Sequence, residues 1–497
     1  MQRNSFLLVV YLVYIQATFK RLHILEKKGG RKDMKPLSVK NLAMITAGYL
    51  VQGSEEMLIQ HGAYRLKQVK KPNTALFTSK RIVNWKSLEP LSPLVIVTDR
   101  AYRPNDIPAQ IIIIQVANVD EAYWKFVHFY RNQFHIPIVA ITGTSGKTTT
   151  KEMIKHILSA DRQVTATTLS SNSRTASLQY LLNIEDDTEA AVFETAVGSP
   201  GDVTNAGKYF KPTIGIITNI GAHHLNYCKT LEGYIQAKGE MLDIIQPKGT
   251  LIINAEDMNT KKLDISKFNG RVLKVGIHDS CHFRASHIQY YQKGMNFKLH
   301  HNRKIYDIFV PGFGQHQVYN ALAAIAAAYE IGVPIPVSAN QLQSFRQLKK
   351  QLQLFEGINH SMLLDDTWSI TTTSLEAGLK VLNDLGEGKK KIAVIGTITD
   401  LGSWGYIIHE QAGELIHRIG VDVLITIGEH ARIMADHAVN LGFNAPVYTY
   451  KNSTLVYPLL QQIVDENTIV LIKGDMYSEQ VSKLAAELKF KPPPPTV

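Results

Sequence analysis

Lys147, Thr148 and Thr149 follow the run Thr142-Gly143-Thr144-Ser145-Gly146, an order of residue types suited to holding a polyphosphate. Gly143 and Gly146 let the backbone turn tightly enough for successive N–H groups to face inward. A helix starting behind them adds unsatisfied donors and its positive dipole end. Lys147 would lie against the terminal phosphates, and the hydroxyl of Thr148 or Thr149 would reach the Mg²⁺ that accompanies them. The long form of this loop has a glycine where the chain has Ile141, so the match is to the shorter Thr-Gly-Thr-Ser-Gly-Lys-Thr form.

Other residues carry chemistry at the ends of apolar runs. Glu194 ends Ala191-Val192-Phe193, where a carboxylate can hold Mg²⁺. His223 and His224 come after Ile216-Ile217-Thr218-Asn219; a neutral imidazole there can complete a metal shell or orient a carboxylate. Asn254 and Asp257 follow Leu251-Ile252-Ile253 and offer an amide and a carboxylate to a nucleotide base or ribose, or a cap to the next helix. Asn320 opens an alanine-rich helical stretch that could close over the same base. Asp365 is placed to face the nucleotide across a cleft, and Lys473, in Lys473-Gly474-Asp475, offers a cation to an acidic substrate. By spacing alone Lys238 is a solvated lysine on a helix.

Strands alternating with helices must position these groups. The middle region predicts strands at 190–193, 213–218 and 249–253 and helices at 149–158, 231–244 and 318–331. That alternation implies a mostly parallel sheet covered on both faces, with ligands gathered at the carboxyl ends of its strands. Upstream, 94–97 and 111–114 read as buried strands, and the aromatics between 121 and 133 read as core. Downstream, strands are predicted at 362–364, 391–396, 421–427 and 469–472. The fold class is therefore α/β in three domains. A smaller α/β N-terminal domain spans 34–134, a central P-loop-type doubly wound sheet 135–337, and a Rossmann-like α/β C-terminal domain 338–490. Residues 1–33 read as an appendage ahead of Met34, and the proline run at 491–497 as a disordered tail.

A chain of 497 residues is too long for one core. Its net charge of +11 favours anionic partners. Lys20, Arg21, Lys27, Lys28, Arg31 and Lys32 crowd the extension, and no aromatic-plus-basic platform accompanies the charge, which argues against nucleic acid. Cys228 and Cys281 lie far apart without metal-ligand spacing, as in a reducing, cytoplasmic compartment. The apolar run from Phe6 to Ile15 is short of the roughly 20 residues that span a bilayer, so no stable membrane insertion is expected. The protein is expected to be a monomer.

The motifs Thr142-Gly143-Thr144-Ser145-Gly146-Lys147-Thr148-Thr149-Thr150-Lys151-Glu152-Met153, Thr218-Asn219-Ile220-Gly221, His224-Leu225, Ala237-Lys238-Gly239-Glu240 and Asn254-Ala255-Glu256-Asp257 occur in the order of the Mur ligase family. The chain resembles that family from about residue 38 to 488. The resemblance implies a cytoplasmic ATP-dependent amide ligase acting on small-molecule carboxylate and amine substrates through an acyl phosphate, with cell-wall precursor synthesis the leading case. It implies that Gly143, Thr144, Ser145, Gly146, Lys147, Thr148 and Thr149 bind ATP, and that Thr148 and Glu194 hold Mg²⁺. Lys238 matches the lysine that is carbamoylated in the family and becomes an anionic metal ligand, with His224 nearby. Asn254, Asp257 and Asn320 would lie on the adenine side, and Asp365 would approach after domain closure.

Departures fall where substrate is chosen. The Ser-x-Asp-(Ser/Thr)-Arg segment that handles a UDP moiety survives only as fragments near residues 62–67. The family's Arg-Leu-Gln reads Gln351-Leu352-Gln353, its His-Asn reads His316-Gln317, and its Tyr-Asn-Ala-Asn-Pro reads Trp368-Ser369-Ile370-Thr371-Thr372. Asp475 replaces a serine and should repel an acceptor's carboxylate. Two alternatives follow: a paralogue acting on a non-UDP carboxylate, and an ATP-binding regulatory protein without ligase activity.

Overall fold

Ile138–Thr142 is buried along its whole length, as a continuous apolar run in a parallel sheet should be. It sits inside a nine-stranded sheet at the point where the strand order reverses. The next strands in the chain, Val164–Ala166 and Ala190–Glu194, lie on one side of it. Ile214–Ile217, Thr250–Asn254 and Arg271–Gly276 extend the sheet on the other, all parallel. The loop that leaves Ile138–Thr142 thus opens at the crevice where ligands bind in doubly wound sheets. The computed structural model describes residues 33–80, 82, 84–103 and 107–490. Residues 1–32 of the expected extension and the expected tail at 491–497 lie outside them.

Helix Lys147–Leu158 starts directly at Gly146. Its Met153, Ile154, Ile157 and Leu158 are buried at the spacing of one helical face. Helix Gln315–Glu330 packs beside it with a run of small buried alanines. The predicted helix over 231–244 is two pieces, Leu231–Gly239 and Met241–Ile244. At the break the Glu240 carboxylate accepts Gly201 N–H at 2.7 Å and Thr204 N–H at 2.9 Å, capping the neighbouring helix Asp202–Phe210.

The sequence reading omitted the sheet's antiparallel extension, Phe283–Tyr291, Gly294–His301 and Lys304–Pro311. Met295, Phe297 and Leu299 face inward at alternate positions, the period-2 pattern of a sheet buried on one face. Of the aromatics read as core before the central sheet, Phe126 and Tyr130 are buried, whereas Phe129 is exposed.

A five-stranded N-terminal sheet and a six-stranded C-terminal sheet flank the central one. The first runs in the order Tyr49–Gln52, Ile111–Gln115, Leu94–Thr98, Thr74–Phe77 and His61–Ala63. The second runs Gln353–Glu356, Met362–Asp366, Thr468–Lys473, Lys390–Gly396, Val423–Ile427 and Val447–Tyr450. Each is parallel but for one antiparallel edge strand. Apolar clusters weld the three together. Phe126 and Tyr130 pack with Leu178 and Phe193, and Ile220 and Leu225 with Ile370, Ile398 and Leu401. No helix among the described residues is long and apolar enough to cross a membrane.

Candidate functional site

Gly143 and Gly146 both have positive φ, +147° and +82°. A Cβ at Gly143 would lie 1.8 Å from Thr218 Oγ1, and one at Gly146 2.4 Å from Asn320 Oδ1. The loop is therefore folded against the Thr218-Asn219 turn, where Thr144 N–H donates to Asn219 O at 2.8 Å and Ser145 N–H to Asn219 Oδ1 at 3.0 Å. The helix behind makes its first backbone bond from Thr150 N–H to Gly146 O. The N–H groups of its first turn precede that bond and point toward the crevice. Gly143→Ala is expected to cost about 1–3 kcal/mol of stability through overpacking and to lower ATP affinity at least about tenfold. Thermal melts and isothermal titration with ATP check both.

Lys147 Nζ folds back to donate to Gly143 O at 2.8 Å and Thr144 O at 3.0 Å. Burial holds its pKa below the usual lysine value, opposed by Glu194. Thr148 Oγ1 donates to Glu194 Oε2 at 3.3 Å, as does Asn172 Nδ2 at 3.0 Å. Glu194 is 3% exposed and its Oε1 has no hydrogen-bond partner among the described residues. Lys151 Nζ stands 3.6 Å from that oxygen but gives its protons to Thr167 O, Leu169 O and the Glu152 carboxylate at 2.6–2.7 Å. Burial pushes the Glu194 pKa up, and Lys147 and then Lys151 restrain it. A buried carboxylate oxygen without a donor, next to a threonine hydroxyl at a phosphate loop, fits a hard divalent cation. Among the described residues no group of three or more His, Cys, Asp and Glu could hold a metal by itself, so such an ion would need phosphate oxygens as well.

His224 lines the same cavity, of about 350 Å³. Its ring centroid lies 3.8 Å from that of His223. Burial, then Lys147 and Lys238, lowers its pKa to about 4, and burial holds His223 well below its ordinary value. Both imidazoles are neutral near pH 7, the state that ligates metals. Lys238 lies beneath the loop. It is 1% exposed, donates to Gly143 O at 2.9 Å and stands 4.4 Å over the Tyr234 ring. Burial first, and Lys147 second, hold its pKa well below that of a free lysine.

Of the residues assigned to the base, Asn254 and Asn320 line the cavity. Asn254 Oδ1 accepts Glu256 N–H at 3.0 Å, and Asn320 Oδ1 accepts Thr150 Oγ1–H at 3.3 Å. Asp257 does not line it. Its carboxylate accepts Ile220 N–H at 3.2 Å and Thr260 N–H at 2.7 Å, so it braces the turn that holds the loop. Asp365 points away as well, paired with Lys489 at 2.8 Å and Thr367 Oγ1 at 2.7 Å. Its neighbour Asp366 faces the cavity instead and is ion-paired with Lys473 at 2.5 Å. Lys473 therefore reaches the cavity with its charge already matched.

Sequence reasoning missed Lys151 and Asn172, which support Glu194, and the contacts by which the C-terminal domain seats on the loop. Thr149 Oγ1 donates to Gln351 Oε1 at 2.9 Å, and Ser145 Oγ lies 3.4 Å from Thr371 Oγ1. Only Lys151 carried a signal, as the next cation along the phosphate-loop helix.

A second cavity, of about 890 Å³, opens between the N-terminal and central sheets. Tyr64, Trp124 and Tyr209 line it with Arg65, Lys80 and Arg174.

Residues 141–328 match the model of the Mur ligase middle domain. A protein of Buchnera aphidicola subsp. Baizongia pistaciae named UDP-N-acetylmuramoyl-tripeptide--D-alanyl-D-alanine ligase is 27% identical over 395 residues, covering 79% of this chain and 83% of its own. The fold is that of MurF from Acinetobacter baumannii, with a TM-score of 0.79, 24% identity and coverage of 92% and 99% of the two chains. It is shared by MurF ligase from Thermotoga maritima in complex with ADP, with a TM-score of 0.72, 18% identity and coverage of 86% and 97%. Residues 141–328 thus carry a Mur ligase middle domain, inside a whole-chain fold shared with MurF ligases.

Proposed function

We propose that the chain is an ATP-dependent ligase that forms an amide bond through an acyl phosphate, adding D-alanyl-D-alanine to a UDP-N-acetylmuramoyl-tripeptide in peptidoglycan precursor synthesis. The observation that carries it is the convergence of Lys147, Thr148, Glu194 and His224 on one cavity, with Lys238 buried behind the loop. In this reading residues 143–149 hold the phosphates of ATP by backbone N–H groups. Lys147 exchanges its bonds to the loop carbonyls for the β- and γ-phosphates. Thr148 and the open oxygen of Glu194 would hold Mg²⁺, which neutralises charge on the transferring phosphoryl group. The substrate carboxylate attacks the γ-phosphorus, the bond to the β-phosphate oxygen breaks, and ADP leaves. The amine then attacks the acyl carbon, loses a proton and expels inorganic phosphate. Positioning and electrostatics carry such a transfer.

Asn254 and Asn320 belong to the adenine side, and the basic aromatic cavity at Arg65, Lys80 and Arg174 to the carrier of the carboxylate. Boundaries at 34–134, 135–337 and 338–490, a cytoplasmic location and a monomeric state belong to the same proposal.

A second reading keeps the chemistry and changes the acceptor. It is favoured by the Lys473–Asp366 pair, which leaves Lys473 already matched when an acceptor carboxylate arrives, and by Asp475 two residues on. Phosphate release from ATP by the purified chain tests both. Stimulation by UDP-N-acetylmuramoyl-tripeptide with D-alanyl-D-alanine is expected. Stimulation only by other acids or amines supports the second reading, and stimulation by none of them overturns the ligase.

A further inference from the structure

The segment after strand Lys390–Gly396 crosses from the C-terminal domain to the central one and passes beside His224. Trp404 Nε1 donates to Lys229 O at 2.6 Å. Leu401, 3% exposed, shares an apolar cluster with Leu225. Behind the segment, buried His409 binds both of its ends. Nε2 accepts Ile398 N–H at 3.2 Å, and Nδ1 lies 2.5 Å from Gly405 O and must donate to it. Those two bonds fix one tautomer and the span between them. At its crest Asp400 takes the left-handed conformation, φ +59°, with Oδ2 3.8 Å from His224 Nδ1.

We propose that Asp400 is the positioning residue of His224: delivered across the domain interface by the Trp404 latch, it accepts the Nδ1 proton so that Nε2 is presented to the metal. The inference rests on the assignment of His224 to the metal site made above. A histidine ligates through one ring nitrogen, and the group bonded to the other sets the tautomer and the ring's orientation. Among the described residues, Asp202 is the other carboxylate whose charge acts on His224. It is already engaged, with Oδ2 accepting the N–H groups of Gly198 and Ser199 at 2.8–2.9 Å and Oδ1 facing Arg174 at 3.5 Å. The 3.8 Å separation is about 1 Å longer than a hydrogen bond, a gap that a rotamer change of the half-exposed Asp400 side chain closes. Because the two residues belong to different domains, metal affinity and seating of the C-terminal domain become linked.

The test is a titration of the full-length chain with Mn²⁺ in the presence of ADP, followed by electron paramagnetic resonance. Asp400→Gly keeps the left-handed backbone and removes the acceptor, and is expected to weaken Mn²⁺ binding about tenfold. Asp400→Asn keeps an acceptor oxygen and tolerates the same φ, and should restore most of that loss. Trp404→Phe should weaken binding in the same direction without adding to Asp400→Gly. Histidine ¹⁵N spectra should show the Nδ1–H form of His224 giving way to a mixture in Asp400→Gly. Wild-type Mn²⁺ affinity in Asp400→Gly, with a loss in His224→Ala, overturns the positioning role alone. Wild-type affinity in both variants overturns it together with the metal assignment of His224.

Discussion

Lys238→Ala is expected to lower turnover about a thousandfold, the several kcal/mol that a metal ligand contributes to phosphoryl transfer, and short-chain carboxylates such as acetate are expected to restore part of it. The Lys238 amine is sealed beneath the loop against Gly143 O and the Tyr234 face, and burial together with Lys147 disfavours the ammonium form. A neutral amine can add CO₂: the N–C bond forms, one proton leaves, and the product is an anionic carbamate. That would put two oxygens where a cation at the γ-phosphate needs them. Alanine removes the nitrogen and leaves a space that acetate can enter as a replacement anion. Lys238→Arg, which stays charged, should be neither active nor rescued.

The same shift has a stability signature. The folded-state pKa lies below the unfolded value of 10.5, so between the two the unfolded chain binds more protons. Stability therefore rises with pH through that window. Lys238→Met should flatten the rise in Tm toward pH 10 and melt above wild type near pH 7. Full activity in the alanine variant, or an unchanged pH profile in the methionine variant, counts against a neutral buried amine.

The turn at Gly143–Gly146 and the helix behind it were legible because their determinants are contiguous: two glycines, a lysine and a helix start within a few residues. Glu194 was legible because it closes an apolar run that could only be a buried strand. Asp365 and Asp366 show where such reading stops. Successive side chains on a strand point to opposite faces, so a choice between neighbours depends on register; here Asp365 went to Lys489 and Asp366 to the cavity. Asp257 has the residue type of a ribose reader, yet a nearby turn offered unsatisfied N–H groups and took its carboxylate. Gln351, Thr371, Asn172 and Asp400 act across long sequence separations, and nothing local marks them. The antiparallel strands from 283 to 311 did carry an alternating pattern, which the expectation of further strand-and-helix units overrode.

Glu194→Gln is expected to abolish Mg²⁺-dependent phosphate release while raising the Tm of the ligand-free chain above pH 7. Two demands meet on this carboxylate. On the proposed function it needs the oxygen that accepts no hydrogen bond among the described residues, because a cation would supply the missing partner. For stability that open oxygen is a cost, since burial disfavours the charged form and Lys151, at 3.6 Å, gives its hydrogen bonds elsewhere. The folded-state pKa lies above the ordinary value of 4.5, so between the two the folded chain holds a proton that the unfolded chain has lost. Stability falls as pH rises through that interval and stays lower above it. Glutamine never ionises, so its Tm advantage should be present at pH 8 and vanish below pH 4.5. Mg²⁺ with ATP should reverse the order, because ligand binding raises the Tm of the wild type and not of the variant. A variant that retains Mg²⁺-dependent turnover, or melts below wild type at pH 8 without ligands, would show that the open oxygen of Glu194 is not kept for a cation.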